Sequence, residues 1–437
     1  MMNKEDLTVD IHRTHYSIDL NEDLIGKSVN IAGWLEDIRD IGKIIFLIVK
    51  DVYGPVQVTA DPNEFPDAKN IPRQSAIIIN GEVKKSRAKN MKIEVELKKI
   101  INSLNAIHPL PIDPTGRIES SIDKRLNSRA LDLRNSNTSK LFILRSLVLE
   151  KIRENLREKK FIEVNTPKII GSASEGGADL FDFKYFKTKA YLAQSPQLYK
   201  EELILALDRV FEIAPYFRAE NSNTIRHLTE FYSVDIEAAF LDYQDIMNIM
   251  EEVIKNIINE IRKSDIIDTH KSKIINDTNL SKKFERLTYS QCIKELNNLD
   301  EKIEFGDDLS DSALRKLGSI YPGFYFITDW PLKLKPFYIH EKENEPELSE
   351  SFDLQIGFLE LISGGRRQHN PKKIRKRLME QGLDPNDFRE HLEVYNWGMP
   401  PHSGCGLGLD RLIMSLSGSQ NVREVVLYPR DPDRIKP

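Results

Sequence analysis

Hydrophobic and polar residues alternate in five short runs between residues 28 and 104, with glycine, proline and aspartate turns between them. The runs are VNIAGW, KIIFLIVKD, PVQVTA, SAIIINGEV and MKIEVELKKI. Alternation with a period of two is typical of strands that bury one face. Five such strands at one end of a longer chain predict a small closed β-barrel of the OB type, and barrels of this type often bind oligonucleotides.

A different pattern begins after HPLPIDPTG, a proline-rich segment that predicts the end of the barrel domain. Apolar residues then recur at helical spacing and predict an amphipathic helix that ends near Lys160. They are Leu141, Leu144, Val148, Ile152 and Leu156. The predicted organisation is therefore an N-terminal barrel domain over residues 1–108, a linker over 109–134 and a larger domain over 135–437.

The larger domain mixes apolar strand-like segments with helical ones. The strand-like segments are FIEVNTP, VFEIAPYFRAE, FYSVDIEAAF, FYFITDWP and FDLQIGFLELISGG. Helical spacing recurs over residues 242–263, 371–381 and 409–418. Hairpin-connected strands with helices around them predict an α+β domain on an antiparallel sheet.

Composition narrows the class of protein. The chain has 437 residues, more than a single core usually holds, so at least two domains are expected. No apolar stretch approaches the ~18 residues of a membrane span, and the N-terminal MMNKEDLTVD is not an apolar export segment. The two cysteines are far apart and form no CxxC pair, which argues against a disulfide framework or a zinc site. These features predict a cytoplasmic protein that contacts no membrane.

Net charge gives a weak signal against a nucleic-acid partner. It is −5, whereas proteins that bind RNA are often basic overall. Charge is therefore better judged by cluster, and two basic clusters are present. One consists of Lys84, Lys85, Arg87, Lys89 and Lys92, and the other of Arg366, Arg367, Lys372, Lys373, Arg375, Lys376 and Arg377. Each cluster is compatible with a solvated surface as well as with RNA binding.

The segment FRAENSNTIRHLTEFYSVDIE, residues 217–237, is predicted to form two antiparallel strands joined by a polar loop. Residues two apart on a strand share a face, so Arg218 projects together with Glu220. On the second strand the same holds for Phe231, Ser233, Asp235 and Glu237. A guanidinium suits a phosphate and an aromatic ring suits a base, so this face is typical of a nucleotide site. The alternative is a surface hairpin with ordinary ion pairs.

Near the C-terminus, GCGLGLDRLIMSL places Gly404, Gly406 and Gly408 at alternate positions of a predicted strand, and Arg411 opens a helix. Glycines on one face of a strand leave room for a flat ligand against the backbone. The pattern is neither a Walker loop nor a Rossmann fingerprint, because no GK[ST] follows and the glycines lie within the strand. The alternative is a tight turn from strand to helix.

Three segments, in this order, resemble the signature motifs of class II aminoacyl-tRNA synthetases. They are the strand FIEVNTP that ends at Pro167, the hairpin FRAENSNTIRHLTEF, and GLGLDRL. The barrel, with GW, DIRDIGKIIFLIVKD and GPVQVT, resembles the anticodon-binding OB domain of the aspartyl, asparaginyl and lysyl subgroup. RLNSRALDLR, SEGGADLF, QSPQLYK, KPFYIH, SGGRRQH and LYPRDPDRIKP are similar to segments of the aspartyl members of archaeal and eukaryotic type. The resemblance covers nearly the whole chain, and residues 264–320 match least.

This resemblance implies an activity and its partners. Aspartyl members of the family activate L-aspartate with ATP and Mg²⁺ and then transfer the aspartyl group to the 3′-hydroxyl of the terminal adenosine of tRNA(Asp). The resemblance also implies a homodimer whose interface includes the segment ending at Pro167, and no contact with DNA. It leaves open whether tRNA(Asn) is a second acceptor.

The resemblance further implies roles for individual residues. Those implied for aspartate are Glu175, Ser195, Gln197, Lys200, Asp235 and Arg367, with Lys200 and Arg367 holding the side-chain carboxylate. Those implied for ATP are Arg218, Glu220, Arg226, His227, Phe231, Glu360 and Arg411, with adenine on Phe231 and the α-phosphate on Arg218. Asp353, Glu360 and Ser363 would hold Mg²⁺ through oxygen ligands, which hard cations prefer. The residues implied for catalysis are Arg218, Arg411 and Glu360.

On the barrel, the resemblance places the anticodon. Phe46 would stack on a base and Gln57 on the adjacent strand would read a base edge, with Glu94 as a weaker candidate. Lys89 lies in a basic loop that bears on the choice of tRNA. Glu36 stands where related archaeal sequences can have an aromatic residue, and a carboxylate neither stacks on a base nor attracts the phosphate backbone. We therefore expect relaxed discrimination, with tRNA(Asn) also accepted.

The sequence departs from the family pattern at three places. Phe358 stands where related sequences tend to have a small residue, and Ser403 and Cys405 replace a commoner glycine and aromatic residue. Two alternative functions remain. An asparaginyl-tRNA synthetase would share all three motifs, although Lys200 favours a carboxylate over an amide. A tRNA-independent, amide-forming relative would lack the N-terminal barrel.

Overall fold

The computed structural model describes residues 12–88, 91–171, 180–219, 224–264, 266 and 272–436. The chain divides into two compact units, Met1–Ser139 and Lys140–Pro437. In the first unit five strands close into a barrel, in the order β1-β2-β3-β5-β4. They are β1 (Ser28–Asp40), β2 (Ile45–Lys50), β3 (Pro55–Ala60), β4 (Ala76–Lys85) and β5 (Ile93–Leu104). The pair β3 and β5 is parallel and the other pairs are antiparallel.

The barrel forms because alternate residues of its strands share one buried face. Ile45, Leu47 and Val49 of β2 are at most 2% exposed, so Phe46 and Ile48 between them project to the other face. All five predicted strands and the closed barrel are confirmed. Two short helices of the same unit follow, α1 (Ile122–Asn127) and α2 (Arg129–Asp132).

The rest of the chain contains a large sheet, a small sheet and the helices around them. The strands are β6 (Ile162–Glu163), β7 (Ile169–Ile170), β8 (Asp182–Tyr185), β9 (Thr188–Leu192), β10 (Arg209–Phe217), β11 (Glu230–Ala239), β12 (Glu285–Thr288), β13 (Phe324–Thr328), β14 (Ser351–Ile356), β15 (Leu359–Arg366) and β16 (His402–Gly408). The eight described strands of the large sheet have the order β12-β13-β14-β15-β16-β11-β10-β6, and the small sheet has the order β7-β9-β8. Only the outer pairs of the large sheet, β12 with β13 and β6 with β10, are parallel among the described strands. The predicted α+β domain on an antiparallel sheet is therefore confirmed.

Helices lie between several of these strands along the chain. They are α3 (Ser136–Glu158), α4 (Gln197–Leu207), α5 (Tyr243–Lys263), α6 (Lys273–Asp277), α7 (Tyr289–Asn298), α8 (Asp311–Ile320), α9 (Pro371–Glu380), α10 (Arg389–Val394) and α11 (Leu409–Ser417). The helices predicted from residues 141, 242, 371 and 409 onward correspond to α3, α5, α9 and α11. None of the described helices is long and apolar enough to cross a membrane.

One face of the large sheet is covered by α3, α5 and α11, and the main core lies there. The buried apolar residues of these helices pack on Val234 and Ile236 of β11 and on Cys405 and Leu407 of β16. Side chains alternate across a strand, so Ser233 and Asp235 of β11 belong to the opposite face. The helical layer therefore leaves the polar face of the central strands available for a site.

The structure corrects one strand prediction. FDLQIGFLELISGG is not a single strand-like segment but two antiparallel strands, β14 and β15, joined by Gly357 and Phe358. Gly357 has a φ of +56°, which favours glycine and allows the tight turn. The turn is hard to detect in the sequence because the apolar run continues through it.

Candidate active site and nucleic-acid surface

The polar face of the large sheet borders a cavity of about 340 Å³. Its wall includes many of the residues predicted for aspartate and ATP, which lie far apart in the sequence. They are Ser195, Gln197, Arg218, Arg226, His227, Phe231, Asp235, Glu360, Ser363, Arg367 and Arg411. Lys200 and Asp353 are not part of this wall, and Glu175 and Glu220 lie outside the described residues. Antiparallel pairing of β11, β15 and β16 is what brings these side chains together.

One part of the cavity has the character of a nucleotide site. The guanidinium carbon of Arg218 lies 5.3 Å from the centre of the Phe231 ring. Arg411 enters from the first turn of α11, and its Nη1 donates to the backbone carbonyl of Glu360 at 3.0 Å. Two arginines and an aromatic ring thus face one space, an arrangement that suits a base together with phosphates.

A cluster of four buried charges closes another side of the cavity. Arg367 donates through Nε and Nη2 to the two carboxylate oxygens of Glu237, at 3.0 and 3.1 Å. The ammonium of Lys200 lies 3.1 Å from Asp235 and 3.5 Å from Glu237. All four side chains are at most 6% exposed. Burial opposes the charge on Arg367, but the Glu237 carboxylate outweighs it and raises the pKa of the guanidinium, which stays charged.

Glu237 is a component for which the sequence predicted no role, although its position on the polar face of β11 was predicted. It joins the two cations predicted to hold the aspartate side chain, because it contacts both Arg367 and Lys200. Glu237 uses only Nε and Nη2 of the guanidinium, so Nη1 is the nitrogen that this pair leaves for another acceptor. The period of two along β11 was the signal that could have identified it.

The three glycines of β16 do not serve the same purpose. A Cβ on Gly404 would collide with the carboxylate of Glu237 and the carbonyl of Ile236, so this glycine makes room for a protein side chain and not for a ligand. Gly406 and Gly408 border the cavity, as predicted. Cys405 and Leu407, at most 1% exposed, pack into the core on the other face.

Gln197 is held by a second buried network. Its side-chain nitrogen donates to the carboxylate of Glu201, which also accepts from the hydroxyl of Tyr395. The Nε2 atoms of His391 and His402 lie 3.8 and 3.7 Å from the same carboxylate. Because Glu201 accepts from the amide nitrogen of Gln197, the amide oxygen is left to accept hydrogen bonds in the cavity. An acceptor at this place suits a substrate ammonium group.

The Glu201 carboxyl is strongly acidic in this setting. Burial by itself would raise its pKa, but the nearby imidazoles of His402 and His391 and the guanidinium of Arg367 outweigh burial and lower the pKa to about 2. No local pattern in the sequence indicates this network, because its members come from α4, from α10 and the residue that follows it, and from β16.

The residues predicted for Mg²⁺ lie on paired strands, since Asp353 of β14 is opposite Ser363 of β15. Oδ2 of Asp353 accepts from Lys335 at 2.7 Å, while the buried Oδ1 has no hydrogen-bond partner among the described residues. Burial and the nearby charge of Asp353 raise the pKa of Glu360. Described His, Cys, Asp and Glu side chains form no group of three or more that could hold a metal by themselves.

Two carboxylates whose negative charges repel one another nevertheless suit a divalent cation. Magnesium is commonly held by one or two carboxylates together with substrate phosphates, and it does not need a complete protein cage. Asp353, with an oxygen that has no hydrogen-bond partner among the described residues, and Glu360 at the cavity wall meet this description. The residues present therefore fit Mg²⁺ that arrives with a nucleotide.

Asp410, beside Arg411, is fixed from two directions. Its Oδ1 accepts from Nη1 of Arg145 on α3 at 2.5 Å, and its Oδ2 accepts from the backbone nitrogen of Tyr232 at 2.9 Å. The start of α11 is thereby fixed to β11 and to α3. Asp410 was not predicted as a site residue, although it lies within GLGLDRL.

On the barrel, a surface depression of about 780 Å³ includes Phe46, Gln57 and Glu94 in its wall. Gln57 donates to Glu94 at 2.9 Å. Arginine and lysine side chains also line it, namely Arg39, Lys43, Lys84, Lys85 and Arg87. An aromatic ring on the face of the strand that points away from the barrel core, with cations around it, suits single-stranded RNA.

The structure does not assign the other two predicted anticodon residues to this depression. Glu36 is not part of the wall of this depression and forms an ion pair with Lys50 at 3.0 Å. Lys89 lies outside the described residues.

The second basic cluster of the sequence is only partly a surface. Arg367 is buried against Glu237, and Arg377 is buried and donates through Nη2 to the carbonyls of Leu332, Lys335 and Pro336. Two of its seven cations are therefore buried and do not contribute to a basic surface.

Comparison with known proteins agrees with this description. Residues 121–432 match the family model described as tRNA synthetases class II (D, K and N), and residues 29–102 match the OB-fold nucleic acid binding domain.

Individual relatives match along nearly their whole length. The chain is 40% identical to an aspartate–tRNA(Asp/Asn) ligase of Methanothermobacter thermautotrophicus, over 98% of this chain and 99% of that protein. It is 43% identical to an aspartate–tRNA(Asp) ligase of Picrophilus torridus, over 94% and 97%. The structure of asparaginyl-tRNA synthetase from Pyrococcus horikoshii with asparaginyl-adenylate superposes with a TM-score of 0.91 at 33% identity, over 98% of this chain and 100% of that one. The chain therefore belongs to the class II aminoacyl-tRNA synthetases, in the group of the aspartyl, lysyl and asparaginyl enzymes.

Proposed function

We infer that the protein is an aspartate–tRNA ligase, which activates L-aspartate with ATP and transfers it to tRNA. The observation that carries this inference is the buried pair of cations, Arg367 and Lys200, beside a cavity built for a nucleotide. A cation matches the side-chain carboxylate of aspartate and gains much less from the amide of asparagine. The names of the relatives from Methanothermobacter and Picrophilus support the same amino acid.

Aspartate binds with its side chain toward Arg367 and Lys200, and Asp235 and Glu237 keep these two cations in place. The ammonium group donates hydrogen bonds to the amide oxygen of Gln197 and to Ser195, and both residues border the cavity. Glu175 is proposed as a further anionic partner of the ammonium group. This orientation leaves the α-carboxylate free to face the phosphates.

ATP binds with its adenine on Phe231 and Glu220 beside the base, its α-phosphate on Arg218, and its distal phosphates near Arg226, His227 and Arg411. Asp353, Glu360 and Ser363 would hold Mg²⁺, which supplies positive charge to the phosphates when it is bound. Within the part of the chain that the structure describes, Oδ1 of Asp353 accepts no hydrogen bond, which supports this assignment.

The reaction follows from this placement. The α-carboxylate of aspartate attacks the α-phosphorus in line, pyrophosphate leaves, and the 3′-hydroxyl of the terminal adenosine of tRNA then takes the aspartyl group from the adenylate. No dedicated protein base is needed in the first step, because the nucleophile is already an anion. Arg218 and Arg411 contribute by holding the phosphates in position and by neutralising the negative charge that develops on them.

The barrel is proposed as the anticodon-binding domain over residues 1–108, followed by a linker over 109–134 and a catalytic domain over 135–437. Phe46 stacks on an anticodon base, and Gln57 and Glu94 contact base edges. We propose that tRNA(Asn) is accepted in addition to tRNA(Asp). Glu36 is paired with Lys50 and offers no ring to a base, which supports relaxed discrimination.

We further propose a homodimer through the region of α3 and Pro167, and a location in the cytoplasm, where ATP, aspartate and tRNA are available.

The decisive experiment is ATP–pyrophosphate exchange with aspartate and asparagine side by side. We expect exchange with aspartate and at most weak exchange with asparagine. The structural likeness to the asparaginyl enzyme of Pyrococcus horikoshii makes asparagine the specific alternative, and a preference for asparagine would refute the inference. A tRNA-independent, amide-forming relative would activate aspartate but would not charge a tRNA transcript, so aspartylation of tRNA(Asp) is the second measurement.

A further inference from the structure

Arg226, at the wall of the cavity, is held by residues that the proposed function does not use. Its Nη2 donates to the carboxylate of Asp311 on α8, and its guanidinium carbon lies 5.2 Å from the centre of the Phe358 ring. A second arginine, Arg315 on α8, has its guanidinium carbon 4.2 Å from the same ring centre. Phe358 is not itself part of the cavity wall, so it contacts a cavity residue from outside that wall.

The residues around Arg226 form a preorganised platform. A Cβ on Gly318 of α8 would lie 2.6 Å from the backbone of Gly357 and 2.7 Å from that of Phe358, so α8 packs directly on the turn between β14 and β15. The hydroxyl of Tyr325 donates to the carbonyl of Gly357 at 2.8 Å and fixes the turn from the sheet side. The ring of Phe358 and the first turn of α8 thus have a defined spacing, into which the guanidinium of Arg226 fits.

The two contacts of Arg226 differ in how easily a nucleotide can replace them. The Asp311 side chain is 65% exposed, and ion pairs at such positions are weak because water screens them. A triphosphate carries several negative charges and can take the guanidinium from one exposed carboxylate. Contact with the face of Phe358 does not compete with a phosphate, because a phosphate binds the N–H edge of a guanidinium and a ring binds its plane.

We propose that Phe358 and Asp311 are positioning residues for Arg226: Phe358 holds its guanidinium toward the distal phosphates of ATP, and Asp311 occupies the guanidinium until the nucleotide displaces it. This proposal rests on the proposed function, because it needs ATP to bind in the cavity. It adds α8, a helix outside the signature motifs, to the parts of the chain that determine the affinity for ATP.

The test separates the ring from its bulk. Phe358→Leu keeps an apolar side chain but removes the aromatic face, whereas Phe358→Tyr keeps the face. Loss of a cation–ring contact corresponds to a change in binding of about twofold to thirtyfold. We expect Phe358→Leu to raise the KM for ATP at least threefold in pyrophosphate exchange, with kcat and the KM for aspartate nearly unchanged, and Phe358→Tyr to retain the KM of the wild type. An equal rise in both variants, or no rise in Phe358→Leu, would overturn the role of Phe358.

Asp311→Asn tests the competition. Removal of an exposed competing carboxylate should lower the KM for ATP, by at most about fivefold. Asp308→Asn is the matched control, because Asp308 lies three residues away, contacts the backbone nitrogen of Leu309 and is not paired with Arg226. We expect no change in this control. A higher KM for ATP in Asp311→Asn, or the same decrease in both variants, would contradict the competition.

Direct titration of ATP binding by calorimetry keeps this test independent of the amino acid. If the wild type bound ATP but did not exchange with aspartate, the proposed function would fail while the affinities of the same variants for ATP still decided the role of the platform. If affinities follow the pattern expected for KM, the platform is supported whichever amino acid is activated.

Discussion

Replacing Lys200 by methionine should remove the preference for aspartate over asparagine. Lys200 is 3% exposed and belongs to a cluster in which two cations, Lys200 and Arg367, balance two anions, Asp235 and Glu237. In Lys200→Met, the entering side chain of aspartate would place three carboxylates against one guanidinium. An uncompensated buried charge costs about 3–5 kcal/mol, which corresponds to a loss in kcat/KM for aspartate of roughly 10²- to 5 × 10³-fold.

The side chain of asparagine is neutral and does not incur this cost, so the ratio of kcat/KM for the two amino acids should fall by a similar factor. The assay is ATP–pyrophosphate exchange at a series of aspartate and asparagine concentrations. The KM for ATP should stay near its wild-type value. Lys200 belongs to the charge cluster proposed to bind aspartate, and it makes no contact with Arg218 or Phe231 among the described contacts.

The variant needs a control for the loss of a buried ion pair as such. Lys168→Met removes a lysine that is paired with Glu212 at 2.8 Å and is not part of the cavity wall. Both variants should lower the midpoint of thermal unfolding, but only Lys200→Met should change the choice of amino acid. A variant that stays folded and retains the aspartate preference within threefold of the wild type would refute the role of the Lys200 charge.

Four further outcomes are expected. Arg218→Lys should fail to form the adenylate, because an ammonium cannot replace a planar fork aimed at phosphate oxygens; full pyrophosphate exchange would contradict this. Phe46→Ala should weaken tRNA binding by about 1–3 kcal/mol and so lower tRNA charging while it spares pyrophosphate exchange. Equal loss of both activities would indicate a structural role. Aspartylation of tRNA(Asp) and tRNA(Asn) transcripts at identical salt should differ little, and a preference of several hundredfold would exclude relaxed discrimination. The lowered pKa of Glu201 stabilises the fold above the ordinary carboxyl pKa of about 4.3, and this stabilisation is lost as the pH falls from there toward 2; Glu201→Gln should therefore flatten the acid side of the stability profile.

The sequence was most informative where side chains alternate or recur with a single period. The five runs of the barrel and the helix from Leu141 to Leu156 were predictable, because each has one apolar face toward a core. The turn at Gly357 was not, since apolar residues continue on both sides of it. The pattern of residues 264–320 indicates no particular element, yet they include β12, α7 and α8, and these two helices pack on a core of their own.

The site could be predicted residue by residue but not as a set of contacts. Eleven of the predicted aspartate, ATP and Mg²⁺ residues border one cavity, and their individual roles stay predictions. What the sequence could not reveal is pairing across distant segments, such as Arg367 with Glu237 or Arg226 with Asp311. Such pairs depend on the register of strands and the packing of helices, which no local pattern specifies.

The glycines of β16 differ in what substitution each could tolerate. At Gly404 even the smallest side chain would displace Glu237 and with it the partner of Arg367. At Gly406 a methyl group would lie 3.1 Å from Asp235, a contact that needs a small shift of that carboxylate. At Gly408 the nearest atoms belong to Arg411, at 3.6 Å or more, so alanine fits without strain. We therefore expect substitutions at position 404 to prevent correct folding. Alanine at position 408 should instead yield a well-folded chain, and only its ATP binding should be open to change.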